Sequence, residues 1–188
     1  FADVVDDLED GNTAIAPIGG RDGDWYTFSD GTGSCAQSNT AIPGGRGTLS
    51  ARAMHVVGSK LTTWGGGSGL DLNNPARQAT TKQVVDASKY TGFTFWARSD
   101  VAMAITVLAP DKNTTPGLGV CGITGGPSCD DHLAATVQLT SEWKRYHVTF
   151  SAMRTNSVPA QRLDKANLVG FQFRLGANQD FDFWIDDV

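Results

Sequence analysis

Apolar residues along this chain recur at every second position in short runs, and each run is cut off by Gly, Pro, Asn or Asp. Alternation of that period marks strands with one buried face, whereas the three-to-four spacing of an amphipathic helix is nearly absent. The pattern predicts strands over residues 91–99, 101–108, 133–139, 143–151, 168–175 and 181–188, with weaker candidates at 4–9, 25–28, 49–57 and 69–72. Residues 29–47, 109–131 and 152–167 are expected as long loops, with one short helix within 153–165. About ten strands joined this way predict an all-β chain folded as a two-sheet antiparallel β-sandwich of the jelly-roll kind. Without an internal repeat or a linker, residues 1–188 are expected to form a single domain.

Alternation also assigns side chains to faces. In Phe93-Thr94-Phe95-Trp96-Ala97-Arg98 the phenylalanines point one way and Trp96 and Arg98 the other. In 171–175 the apolar set is again odd-numbered, leaving Gln172 and Arg174 opposite, and in 181–185 Asp182 and Trp184 take the polar side. If these strands share a sheet, Trp96, Arg98, Gln172, Arg174, Asp182 and Trp184 form one face of aromatics mixed with hydrogen-bonding groups. A sugar ring offers an apolar C–H face that stacks on an indole and a rim of hydroxyls that pairs with Arg, Gln and Asp, so this mixture suits glycan recognition. The alternative is that loops cover the face and the tryptophans only pack. Trp25, Tyr26 and Trp64 lie beside glycine-rich turns and form a second, loop-end candidate.

Charged residues make up 19% of the 188 and the net charge is -5, which offers no attraction for phosphate backbones or anionic lipids. Nucleic acid and membrane surfaces are therefore not expected as partners. No segment approaches the roughly 18 consecutive apolar residues of a membrane span, and the first residues lack the basic-then-apolar pattern of a signal peptide. The 22 glycines and five tryptophans in a weakly charged chain resemble extracellular β-domains, and the expectation is a mature secreted protein. Cys121 and Cys129 flank a glycine-rich loop that a disulfide would close, leaving Cys35 over.

Acidic runs stand near both ends, Asp6-Asp7-Leu8-Glu9-Asp10-Gly11 and Trp184-Ile185-Asp186-Asp187-Val188. Together with Asp86-Ala87-Ser88-Lys89-Tyr90-Thr91-Gly92-Phe93-Thr94-Phe95-Trp96-Ala97, Glu142-Trp143-Lys144-Arg145-Tyr146 and Phe150-Ser151, they resemble carbohydrate-binding modules of the galactose-binding-like jelly-roll class. The similarity is greatest to the cellulase-associated group that binds mixed-linked and β-1,4 glucans. The resemblance implies a glycan cleft on a concave sheet and a structural calcium joining the first and last strands. It places calcium ligands among Asp7, Glu9 and Asp186, which suits an ion that takes six to eight oxygens.

Enzyme motifs are absent: there is no Gly-x-Ser-x-Gly elbow, no His-Glu-x-x-His, and no carboxylate pair in a recognisable catalytic context. Cys121, Cys129, Asp131 and His132 contain zinc-ligating types, but their spacing fits no standard finger and favours a disulfide-pinned loop. The expected function is a secreted, non-catalytic module that binds a polysaccharide, β-glucan among the candidates, with calcium in a structural role. Two other readings are an extracellular structural or adhesion subunit that self-associates through its sandwich, and a polysaccharide hydrolase or lyase.

Overall fold

The computed structural model describes residues 3–42, 50–157 and 161–188. Ten strands appear among them: β1 (Trp25–Ser29), β2 (Ser34–Ala41), β3 (Arg52–Ser59), β4 (Gly66–Asp71), β5 (Gly92–Ser99), β6 (Met103–Ala109), β7 (Leu133–Leu139), β8 (Lys144–Thr149), β9 (Gly170–Leu175) and β10 (Phe181–Asp186). They form two five-stranded sheets, β1-β4-β9-β6-β7 and β2-β3-β10-β5-β8, with every pairing antiparallel. The expected all-β sandwich is therefore present, and among the described residues helix is limited to three single 3-10 turns at Ile18–Gly20, Phe150–Ala152 and Lys165–Asn167.

The inward residues follow the alternation. Phe95 and Ala97 of β5, Phe171, Phe173 and Leu175 of β9, and Phe181, Phe183 and Ile185 of β10 are all buried. Phe173 meets Phe95 of the opposite sheet edge-on at 4.9 Å and stacks on Trp25 at 6.2 Å. Phe93 and Phe171 close a second contact between the sheets, at 3.9 Å. Burying such rings removes a large apolar area from water, and the ring contacts across the interior set the distance between layers.

Four expectations change. The strands carrying Trp96, Arg98, Asp182 and Trp184 share one sheet, but β9, with Gln172 and Arg174, lies in the other, so the single mixed face does not form. Residues 4–9 are not a strand; Val5 and Asp6 instead donate backbone hydrogen bonds to the carbonyl of Val188, and Val188 donates back to that of Asp6. The expected helix is absent from the described part of 153–165, and residues 158–160 lie outside the described residues. Finally, β2 occupies part of the expected loop 29–47, whose residues 43–47 lie outside the described ones, as does Leu49.

β2 escaped the apolar pattern because its partners are polar. Gln37 accepts a hydrogen bond from Ser68 of β4 at 2.6 Å, and Asn39 donates to the carbonyls of Leu8 and Asn12. Such a strand is held by satisfied hydrogen bonds rather than by area, and no hydrophobic periodicity announces it.

Phe173 packs with no exposed surface against rings from both sheets. Phe173→Ala is expected to destabilise the fold by about 3–5 kcal/mol in urea unfolding followed by tryptophan fluorescence.

Candidate functional site

Strand register sets the chemistry of the first sheet's outer face. Tyr26 of β1 pairs with Gly69 of β4, which pairs with Gln172 of β9; one step along, Phe28 pairs with Gly67 and Gly67 with Arg174. The central strand thus presents glycine at both outward positions, leaving a shallow trough between an aromatic edge and a polar wall; its glycine floor is itself buried, and Tyr26 and Gln172 bridge it at Gly69. A Cβ on Gly69 would come within 2.7 Å of the Tyr26 ring, and one on Gly67 within 1.9 Å of the Phe173 carbonyl oxygen, so no larger residue fits either place.

Along the aromatic edge, Tyr26 and Phe28 lie 6.2 Å apart, and Trp64 stacks on Phe28 at 6.3 Å with its plane nearly parallel. Trp64 remains 46% exposed, an apolar plate facing solvent. Its loop is gripped by Asp30, whose Oδ2 accepts the N–H groups of Thr63, Trp64 and Gly65, each at 2.9 Å. Desolvation opposes ionisation of Asp30, yet hydrogen bonds from the Thr32 hydroxyl and from the backbone of Gly65, Thr32 and Trp64 hold its carboxyl well below the usual range.

Polar groups crowd the other wall. Gln172 donates from Nε2 to the Tyr26 hydroxyl at 3.0 Å. Lys82 Nζ sits 4.2 Å above the Tyr26 ring and 2.9 Å from Asp71, and a groove of about 340 Å3 opens on that side of Tyr26, lined in part by Asp24, Phe28 and Arg77 but not by Gln172 or Arg174. The 110–131 segment folds down beside this wall. Its Asp111 carboxylate accepts from Thr114, whose hydroxyl meets His132 Nδ1 at 2.8 Å. Burial, reinforced by the charges of Lys82 and Arg174, pushes the His132 pKa down to about 4, so its imidazole is neutral at ordinary pH.

Sequence-predicted residues divide among three places. Tyr26, Trp64, Gln172 and Arg174 share the trough. Trp25 does not: it points inward, 3% exposed, and its indole N–H donates to Asp6 at 2.7 Å, because a residue one step from Tyr26 must face the core. Trp96, Arg98, Asp182 and Trp184 occupy the outer face of the second sheet. There Trp184 stands between its cross-strand neighbours His55 and Arg98, with the imidazole stacked at 4.4 Å and the guanidinium carbon at 4.9 Å. His55 also contacts Asp182 at 2.7 Å, and Arg98 pairs with Asp100. With both flat faces of its indole engaged, Trp184 is a rung of a side-chain ladder rather than an open stacking plate.

At the chain ends, Glu9 and Asp186 converge on one hydroxyl, with Ser50 Oγ 3.1 Å from Glu9 Oε1 and 2.6 Å from Asp186 Oδ2. Asp7 is exposed and, among the described residues, accepts only the Glu9 N–H at 3.2 Å. Among the described residues no group of three or more His, Cys, Asp or Glu side chains is gathered as for a metal ion. Cys121 and Cys129 form the expected disulfide, which removes them as zinc ligands, while Asp131 is taken by Asn156 and Ser157. Phe28 and Lys82 were not singled out from the sequence. Phe28 carries a readable signal, two positions from Tyr26 on one strand; Lys82 lies in irregular backbone and has none.

Comparison with solved structures agrees with this architecture. The chain is similar to the family 11 carbohydrate-binding module of a cellulosomal cellulase of Clostridium thermocellum, with a TM-score of 0.67 at 18% identity over 98% of this chain and 91% of that one. A family 11 module from the same organism in complex with a β-1,3-1,4-mixed-linked tetrasaccharide gives 0.61 at 17% identity, over 94% and 93% of the two chains. The CBM22-1 xylan-binding domain from Paenibacillus barcinonensis gives 0.53 at 11% identity, over 98% and 91%. The fold is thus that of β-sandwich carbohydrate-binding modules. No family model matches the sequence, and no curated protein does.

His132 gives a pH test. Its folded pKa, near 4, lies below the ordinary value of 6.5, so between these values the unfolded chain binds a proton that the folded one refuses. Its contribution is present above about pH 6.5 and is lost as the pH falls towards 4, a change of about 3 kcal/mol. Urea unfolding across that range should show a shallower pH slope for His132→Gln than for the wild type.

Proposed function

We propose that the chain is a non-catalytic polysaccharide-binding module whose ligand lies across the trough of the first sheet. The observation that carries this reading is the exposed Trp64 plate, backed by Phe28, whose strand lies two places from Gln172 and Arg174 on the same sheet. A pyranose stacked on the indole through its C–H face would turn its hydroxyls toward the polar wall, where an amide, a guanidinium and a phenol offer donors and acceptors. Affinity rests on a few stacking and hydrogen-bonding contacts in an open groove, so it is expected to be modest. The fold's likeness to modules described with a mixed-linked glucan and with xylan supports testing β-linked polysaccharides first.

Calcium belongs to the same reading, with Glu9 and Asp186 as its carboxylates. One hydroxyl hydrogen on Ser50 cannot serve both carboxylate oxygens and the Arg52 carbonyl that it also approaches at 3.2 Å. A hard cation beside this cluster would neutralise the paired acids and tie the first segment to β10. Asp7, facing solvent, is the weakest of the three expected ligands. The disulfide is suited to an oxidising compartment, and secretion is part of the proposal.

Retardation of the protein in native gels containing β-glucan, xylan or mannan tests the binding. Trp64→Ala should weaken retention by about three- to tenfold, the worth of one aromatic stacking contact, and Trp184→Ala should leave it unchanged. Free migration of the wild type through every polysaccharide would sink the reading. For calcium, a chelator should lower the melting temperature of the wild type and not that of Asp186→Asn; a melt indifferent to chelator removes the ion from the account.

A further inference from the structure

One cation beside the trough has no counter-charge among the described residues. Lys82 is paired with Asp71 at 2.9 Å and Arg77 with Asp22 at 2.7 Å, whereas Arg174, half-buried on the polar wall, makes no hydrogen bond or ion pair with a described residue. A guanidinium partly withdrawn from water and given no counter-charge is unfavourable unless something else supplies one. The excess is felt nearby, since the charges of Lys82 and Arg174 both help keep His132 unprotonated.

We infer that the polysaccharide bound in this trough carries carboxylates, and that Arg174 selects a uronic acid residue over its neutral counterpart. The inference rests on the glycan-binding reading and narrows its ligand class. Arg174 lies two strands from Phe28 in strict register, a gap of about 10 Å at the usual strand spacing, which one sugar ring with its exocyclic group spans. A ring stacked beside Phe28 and Trp64 would then direct the group on its C5 carbon toward the guanidinium. A carboxylate there accepts two parallel N–H bonds from the fork, whereas a hydroxymethyl group accepts one weaker bond. Oxidation of that exocyclic carbon leaves the apolar C–H face intact, so stacking neither favours nor opposes the acid. Discrimination therefore falls to Arg174.

The test pairs polymers that differ only in that group: β-1,4-glucuronan oligosaccharides against cello-oligosaccharides of equal length, and polygalacturonate against its carboxyl-reduced form, titrated calorimetrically at low and high salt. The wild type should bind at least one acidic member about tenfold more tightly than its neutral partner, with the advantage shrinking as salt rises. Arg174→Gln should bring the two affinities together, and Arg174→Lys, which keeps the charge without the fork, should fall between. Equal or tighter binding of both neutral members overturns the inference while leaving glycan binding intact. An acidic preference that survives Arg174→Gln overturns the role of Arg174. Binding to no polysaccharide removes both readings together.

Discussion

Everything on the surface of this protein follows from how Phe95, Phe173 and Trp25 meet in the middle. Phe173 is held edge-on by Phe95 of the facing sheet and flat by Trp25 of its own. Once those rings point inward, the pleat leaves Tyr26, Phe28, Gln172 and Arg174 no choice but to point outward. A slip of one residue in β1 or β9 would exchange core for groove, burying a guanidinium and exposing phenylalanine. The Trp25 indole N–H, satisfied by Asp6, extends the same constraint to the first segment. That segment runs on to Glu9 and the cluster with Asp186. Core and candidate site are two sides of one register.

Much of this was legible from alternation alone. Wherever a strand has a buried apolar side, as in β5, β9 and β10, the sequence names both faces correctly. What it could not name was the sheet to which each strand belongs. Gln172 and Arg174 carry the same parity as Trp96 and Trp184, and nothing local separates them; the separation arises from β9 pairing with β4 and β6 while β10 pairs with β3 and β5. β2 was illegible for another reason, since its inward side chains are answered by hydrogen bonds rather than by other hydrocarbons. Lys82 belongs to the site only because an irregular segment returns over Tyr26, and that return leaves no periodic trace.

The two outer faces show how similar residues serve different ends. On the second sheet, tryptophan, arginine, histidine and acid are used up on one another: Trp184 is flanked, His55 meets Asp182, and Arg98 meets Asp100. On the first sheet the pairing is incomplete, with one indole open to solvent and one cation unanswered among the described residues. The contrast lies in satisfaction rather than composition, and residue types alone do not reveal it.

The grip of Asp30 on three successive amides bears on the energetics of recognition. A solvent-facing tryptophan on a free loop would sample many positions, and a ligand would have to freeze both the backbone and the ring before gaining from the contact. Here the loop is already fixed by a carboxylate that stays ionised far into acid, and the indole rests against Phe28. The plate is thus set before any partner arrives, and little conformational entropy is left for binding to remove.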